Sequence, residues 1–291
     1  ITTVDDVGGS EGRDVGEREG TGLAVARVLL WLGGGALALL FLVGVVNLAA
    51  PRALGRVFST PPTPTPASSP AQPRAAIIDQ TGYSFPSPDF IAQARAYLEE
   101  AGYRVTYYPP EEVTISFYRG LPDKGYDFIL FQTHSTSQVV TRDGADARSD
   151  LSPGPFLFTT ELYEKQRHIT LQVSDQVRAS ELFYEDSPEL FAVGPKFVRR
   201  SMGGFFPNTV IVIGGCQSLA APDLARAFLE KGASVVIGWD DMVDLSHNNR
   251  AMLHLLEAML VDGAPPAKAV EMTVAAVGAD PRFDSSLDVM E

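Results

Sequence analysis

The chain has 291 residues with a formal net charge of −13, and it carries a single cysteine, Cys216. Residues 75–291 hold 30 acidic and 17 basic side chains, so the whole acidic excess lies there, with no Lys/Arg-rich run. Nucleic acid is excluded as an expected partner, because phosphate binding needs a basic face. One thiol forms no intramolecular disulfide and no CxxC zinc spacing, so neither metal nor cofactor is expected.

Four segments follow in chain order: a tail over 1–27, an apolar span over 28–50, a stalk over 51–74 and one large domain over 75–291. Val28–Ala50 (VLLWLGGGALALLFLVGVVNLAA) has Asn47 as its one strongly polar side chain. At 1.5 Å rise per residue it is long enough for a hydrocarbon core of about 30 Å, which predicts a single transmembrane helix. Ala49-Ala50 also fits a cleavage site, which leaves a removed leader as the alternative. Arg13, Arg18 and Arg27 precede the span, and Arg52 and Arg56 follow it. That balance weakly favours a cytoplasmic N-terminus and an extracytoplasmic domain. Ser59–Pro73 (STPPTPTPASSPAQP) reads as an extended, polyproline-like stalk.

The domain alternates strands with helices. Ala75–Asp79, Arg104–Tyr108, Tyr126–Thr133, Val210–Gly214 and Ser234–Gly238 are short apolar runs bounded by turn residues, the pattern of buried strands. A helix opens at Ser87-Pro88, with Ser as its cap and Pro at its first position, and stops at Gly102. Further helices are expected near 222–231, 246–261 and 265–277. Buried strands separated by helices predict an α/β fold with a mostly parallel sheet covered on both faces. The stretch from Ser137 to Asn208 reads instead as a β-rich excursion with one or two short helices. Its strand-like patches are Phe156–Phe158, Ile169–Val173 and Leu190–Val193. There is no internal repeat, no GxGxxG and no phosphate loop.

In an open parallel sheet, ligands bind beyond the carboxyl ends of the strands. The run Tyr126–Thr133 leads into His134-Ser135, and Val210–Gly214 leads into Gly215-Cys216. If these strands are neighbours, about 4.8 Å apart, a thiol and an imidazole emerge together, the minimal unit of nucleophilic catalysis. His168, His247 and His254 read as ordinary hydrogen-bonded residues.

The segments YDFILFQTHS, VIVIGGCQS and LARAFLEKGASVVIGWDDMVD resemble the caspase-like cysteine peptidases of clan CD, most of all the CHAT branch. The resemblance spans most of 75–291 and is weakest over 137–208. It implies a three-layer α/β/α sandwich, preceded here by the transmembrane helix. It also implies His134 as general base and acid, Cys216 as nucleophile, and an oxyanion hole from the N–H groups of Cys216 and Ser135, with no essential third residue. Two positions depart from the family pattern. Ser135 stands where the family usually has Gly, and Gly214 stands where some relatives carry an Asp that selects a basic side chain. Asp79, Trp239, Asp240 and Asp241 are the remaining candidates for the substrate pocket.

The function expected is a membrane-anchored cysteine endopeptidase acting on a peptide or protein. The alternative is an inactive module of the same family that serves as a binding or scaffold domain. A ligand-binding receptor domain is less well supported, given the placement of Cys216. The sequence leaves substrate preference and oligomeric state open.

Overall fold

A computed structural model describes residues 72–137 and 154–291, apart from 183 and 185. The elements in chain order are β1 (Arg74–Asp79), α1 (Pro88–Glu100), β2 (Arg104–Tyr108), α2 (Ile115–Gly120), β3 (Phe128–Gln132) and β4 (Ser135–Thr136). They continue with β5 (Phe156–Leu162), α3 (Ile169–Val173), β6 (Val177–Ser180), β7 (Leu190–Val193), α4 (Pro195–Arg200) and β8 (Val210–Gly214). The chain closes with α5 (Asp223–Glu230), β9 (Val235–Trp239), α6 (Leu245–Leu260), α7 (Pro266–Val277) and β10 (Leu287–Met290).

Six strands form one sheet in the order β10-β9-β8-β3-β1-β2. All its pairings are parallel except that of the edge strand β10 with β9. The central strands are buried on both faces, which is why they read as continuous apolar runs. Alternate residues divide between two cores. Ile77, Leu130, Val212 and Ile237 face α1, α6 and α7 through Leu98, Leu255 and Val270. Ile78, Phe131, Ile213 and Val236 face α2, α4 and α5 through Tyr118, Phe197 and Phe228.

The second sheet is antiparallel, in the order β4-β5-β7-β6. Leu157, Phe191 and Val193 turn one of its faces into the core shared with α2, α4 and α5. Phe156, Phe158, Leu190 and Ala192 form a small apolar cluster of their own with Leu182. The chain passes from one sheet to the other within two residues, Thr133 and His134, between β3 and β4.

The expected fold class therefore needs correction. In place of a single three-layer sandwich preceded by a transmembrane helix, the strands divide into a mostly parallel sheet and a separate antiparallel one. Among the described residues no helix is long and apolar enough to cross a membrane. The expected span Val28–Ala50 and the stalk lie outside the described residues. A local expectation fails as well, since Ile169–Val173 is a short helix and the strand follows it as β6. Its apolar residues Ile169 and Val173 are exposed, so the alternating pattern there had no sheet face to fill. Ser87 precedes α1 without capping it through its side chain, and Pro88 takes the first position.

Gln80, fully buried just after β1, ties the two sheets together. Its Nε2 donates to the carbonyl of Thr159 in β5 at 3.2 Å, and its Oε1 accepts the His134 N–H at 2.8 Å. Its own N–H donates to Gln132 O at 2.8 Å. Gln80→Leu keeps similar bulk but strands a buried N–H and removes a donor from a buried carbonyl. The expected loss is on the order of 2–3 kcal/mol in chemical denaturation; an unchanged midpoint would show that the clamp carries no weight.

Candidate active site

β3 and β8 are hydrogen-bonded neighbours, and Gln132 pairs with Gly214 at their carboxyl ends. Continuing that register by two residues pairs His134 with Cys216. Both share the parity of Leu130 and Val212, so they leave the sheet toward the same side. Both line one cavity of about 230 Å³ at this edge, together with Thr133, Gly214 and Gly215. The rest of the wall comes from Thr81 and Phe85 after β1, Leu182 and Tyr184, Met242–Leu245 and Asn248 at the start of α6, and Arg282 and Phe283 before β10.

The parallel ladder stops at Cys216. Val210 N donates to Asp127 O at 2.9 Å, and Thr133 N donates to Gly214 O at 3.3 Å. With bonds formed at every second residue, the next in line would run from Cys216 N to Thr133 O. It is not made, and the Cys216 N–H donates to no carbonyl oxygen among the described residues. Gly215 is closely packed at this point: a Cβ would sit 2.4 Å from Thr133 O and 2.6 Å from Ser135 Oγ. Gly214 is constrained too, because a Cβ would sit 2.8 Å from Gln132 Oε1 and against the Asn248 amide.

Ser135 opens β4, an edge strand of the second sheet. Phe158 N donates to His134 O at 3.0 Å, and Ser135 faces Leu157 across the ladder. That is the pattern of a non-hydrogen-bonded antiparallel pair, which turns the Ser135 N–H away from β5 toward the open edge. Two backbone donors are thus left without ladder partners at this corner, those of Ser135 and Cys216.

The imidazole of His134 is held by Ser84, whose Oγ lies 2.9 Å from Nε2. Phe85 and Phe158 meet the ring edge-to-face at 5.8 and 6.0 Å. Nδ1 has no hydrogen-bond partner among the described residues. Burial pushes the His134 pKa down to about 4. The Cys216 sulfur sits against the backbone of Val243, 3.5 Å from both its N and its O. Burial pushes the thiol up, only partly offset by the N–H groups of Val243 and of Cys216 itself, while the charges of Asp280 and Asp241 add to the rise. The resting pair is a neutral thiol and a neutral imidazole, and no hydrogen bond joins them.

Asp280 holds the far wall. It is 1% exposed, and its carboxylate accepts the N–H groups of Asp244, Arg282 and Phe283 at 2.8–2.9 Å. Burial alone would raise this carboxyl, but the three backbone bonds outweigh it and hold it below the usual range. The segments before α6 and before β10 are thereby pinned together beside the thiol.

The other sequence candidates lie elsewhere. Asp79 is buried and serves its own turn, accepting from Gly82 N and Tyr107 Oη at 2.9 Å each. Trp239 is a core residue, 1% exposed, with its indole N–H on Asn248. Asp240 accepts from Ser286 N beside β10, and Asp241 from Met242 N and Gln217 Nε2. None of the four lines the cavity, and the residues just after them, 242–245, do. His168 pairs with Glu161, His247 with Arg250, and His254 with Thr273, and none of the three lines the cavity. Among the described residues no three His, Cys, Asp or Glu side chains converge to hold a metal ion. Sequence reasoning missed Ser84, Asp280 and Arg282; no motif marks them, because only the fold brings them to this edge.

Neither a protein-family model nor a curated protein matches the chain. The site's reading therefore rests on its geometry.

A neutral, buried His134 has a signature in acid. The unfolded chain takes up the proton near the ordinary value of 6.5, and the folded one only near 4. Its contribution to stability is complete above 6.5 and drains away as pH falls through that window. Urea denaturation at pH 7.5, 5.5 and 4 should show a steeper decline for the parent than for His134→Gln. Parallel declines would mean that His134 takes up its proton at the same pH in the folded and unfolded protein.

Proposed function

We propose that the chain is a cysteine endopeptidase of the caspase-like kind its sequence resembles, with Cys216 as nucleophile and His134 as general base and acid. The observation that carries this reading is that His134 and Cys216, each two residues beyond the paired ends Gln132 and Gly214 of neighbouring strands, line one cavity. Two backbone N–H groups without ladder partners at the same corner support it.

Because both groups are neutral at rest, proton transfer accompanies attack and does not precede it. The Cys216 sulfur bonds to the scissile carbonyl carbon as its proton passes to His134. The carbonyl oxygen becomes an oxyanion and takes the N–H groups of Cys216 and Ser135. Collapse breaks the C–N bond, and the leaving amine takes the proton from His134. Water then attacks the thioester, giving a proton to His134, which passes it to the departing sulfur. Ser84 holds Nε2 throughout, which leaves Nδ1 to exchange the proton.

A second reading has its own support. The raised thiol and its contact with the Val243 backbone describe an unactivated pair, which suits an inactive domain that binds a peptide in the same cavity. Hydrolysis of a diverse peptide library separates the two. The parent should cleave some members, Cys216→Ala none, and His134→Ala at least about a hundredfold more slowly, the usual share of acid–base catalysis. His254→Ala should leave turnover within about twofold. Cleavage that persists in Cys216→Ala contradicts the mechanism, and a parent that binds peptides but cleaves none favours the second reading.

A further inference from the structure

The hydroxyl of Ser135 stands out at the corner between the two sheets. Ser135 is 1% exposed, and its Oγ donates to the carbonyl of Cys216 at 2.5 Å. The same oxygen occupies the space beside Gly215 where a Cβ would fall, with Thr133 O next to it. Ser135 is itself fixed from both sides. The second sheet holds its backbone through the pairing with Leu157, and the preceding His134 N–H is anchored on Gln80. One residue past Cys216, Gln217 adopts a left-handed backbone with φ of 57°. Its Oε1 accepts from Ser137 N and Oγ, a second link between β4 and the nucleophile turn.

We infer that Ser135 is a positioning residue that preforms the oxyanion site by pinning the Cys216 carbonyl, holding the strand end twisted so that the Cys216 N–H stays off Thr133 O. In the relaxed parallel register that N–H would complete the ladder and be lost to the substrate. The hydroxyl contributes no chemistry to the reacting atoms and acts through the Cys216 peptide. Ser135 and Gly215 then form a matched pair: the hydroxyl needs the space that the missing Cβ leaves. The inference rests on the peptidase reading for its catalytic consequence, while its structural consequence is independent of it.

The test compares the full-length parent with Ser135→Ala and Ser135→Thr. Hydrogen exchange is resolved at the Cys216 amide by fragmentation mass spectrometry, and turnover is measured on a peptide that the parent cleaves. In Ser135→Ala the released amide is expected to close onto Thr133 O. It should then exchange roughly tenfold more slowly, the protection of one hydrogen bond of ordinary net strength. Turnover should fall roughly tenfold or more while KM changes less than about twofold, because a donor is lost to the transition state and not to binding. Ser135→Thr keeps the hydroxyl and should keep both fast exchange and turnover nearer the parent. Equal exchange in parent and Ser135→Ala overturns the inference, as does Ser135→Thr behaving like Ser135→Ala. Should Ser135→Ala fail to fold, exchange and turnover in Ser135→Thr still decide: slowed exchange with lost turnover overturns the inference. A parent that cleaves nothing, with the exchange difference present, counts against the peptidase reading and leaves the positioning role standing.

Discussion

The site depends on one constraint: two parallel strands, β3 and β8, end side by side in register, and their ladder stops one bond early. Adjacency delivers a thiol and an imidazole to the same edge. The missing bond from Cys216 to Thr133 delivers something less visible, an unspent backbone donor beside the sulfur. A buried N–H normally finds a partner. One left open at a cavity wall, next to a thiol, is suited to receive a developing negative charge. Gly214 and Gly215 allow this close approach, since a side chain at Gly214 would collide with Gln132 and Asn248, and one at Gly215 with Thr133 and Ser135.

The second sheet converts that local feature into a rigid one. β3 does not end in a loop; it passes through His134 directly into β4, so the histidine is gripped by both sheets. Gln80 bonds to its backbone, Ser84 to its ring, and Phe85 and Phe158 pack its edges. Across the cavity, Asp280 collects three backbone N–H groups and fixes the opposite wall. The chemistry is thus carried by few residues, while many buried polar bonds fix where those residues stand. The same burial that orders the pair also keeps both groups neutral.

Much of the central sheet was legible in the sequence because its strands are uniformly apolar and its helices carry clear apolar stripes. His134 and Cys216 could be singled out because each follows a strong strand directly. The second sheet was not resolved, since its strands are short and its pairing is set by contacts between segments as distant as Ser135 and Leu157. Ile169–Val173 shows the failure plainly: alternation suggested a strand, yet no apolar face awaited it. The candidate pocket residues stand off the cavity wall for a related reason. Asp240 and Asp241 follow the strand end, but their carboxylates serve backbone turns, and the wall is built by Met242–Leu245 and by Arg282 and Phe283 from the far end of the chain. Ser84 and Asp280 are one serine and one aspartate among many until the fold assembles them.

The most direct measurement uses the fact that Cys216 is the only cysteine. The full chain is treated with a peptidyl acyloxymethyl ketone, and with a small alkylating agent as reference, and adducts are counted by intact mass. A working dyad predicts a single peptidyl adduct in the parent. It predicts sharply slower labelling by the peptidyl reagent in His134→Ala, and no adduct in Cys216→Ala. The ratio of peptidyl to small-reagent labelling should also be far higher in the parent than in His134→Ala. Labelling by both reagents that is indifferent to the loss of His134 would contradict the account, since Cys216 would then be an ordinary, partly buried thiol.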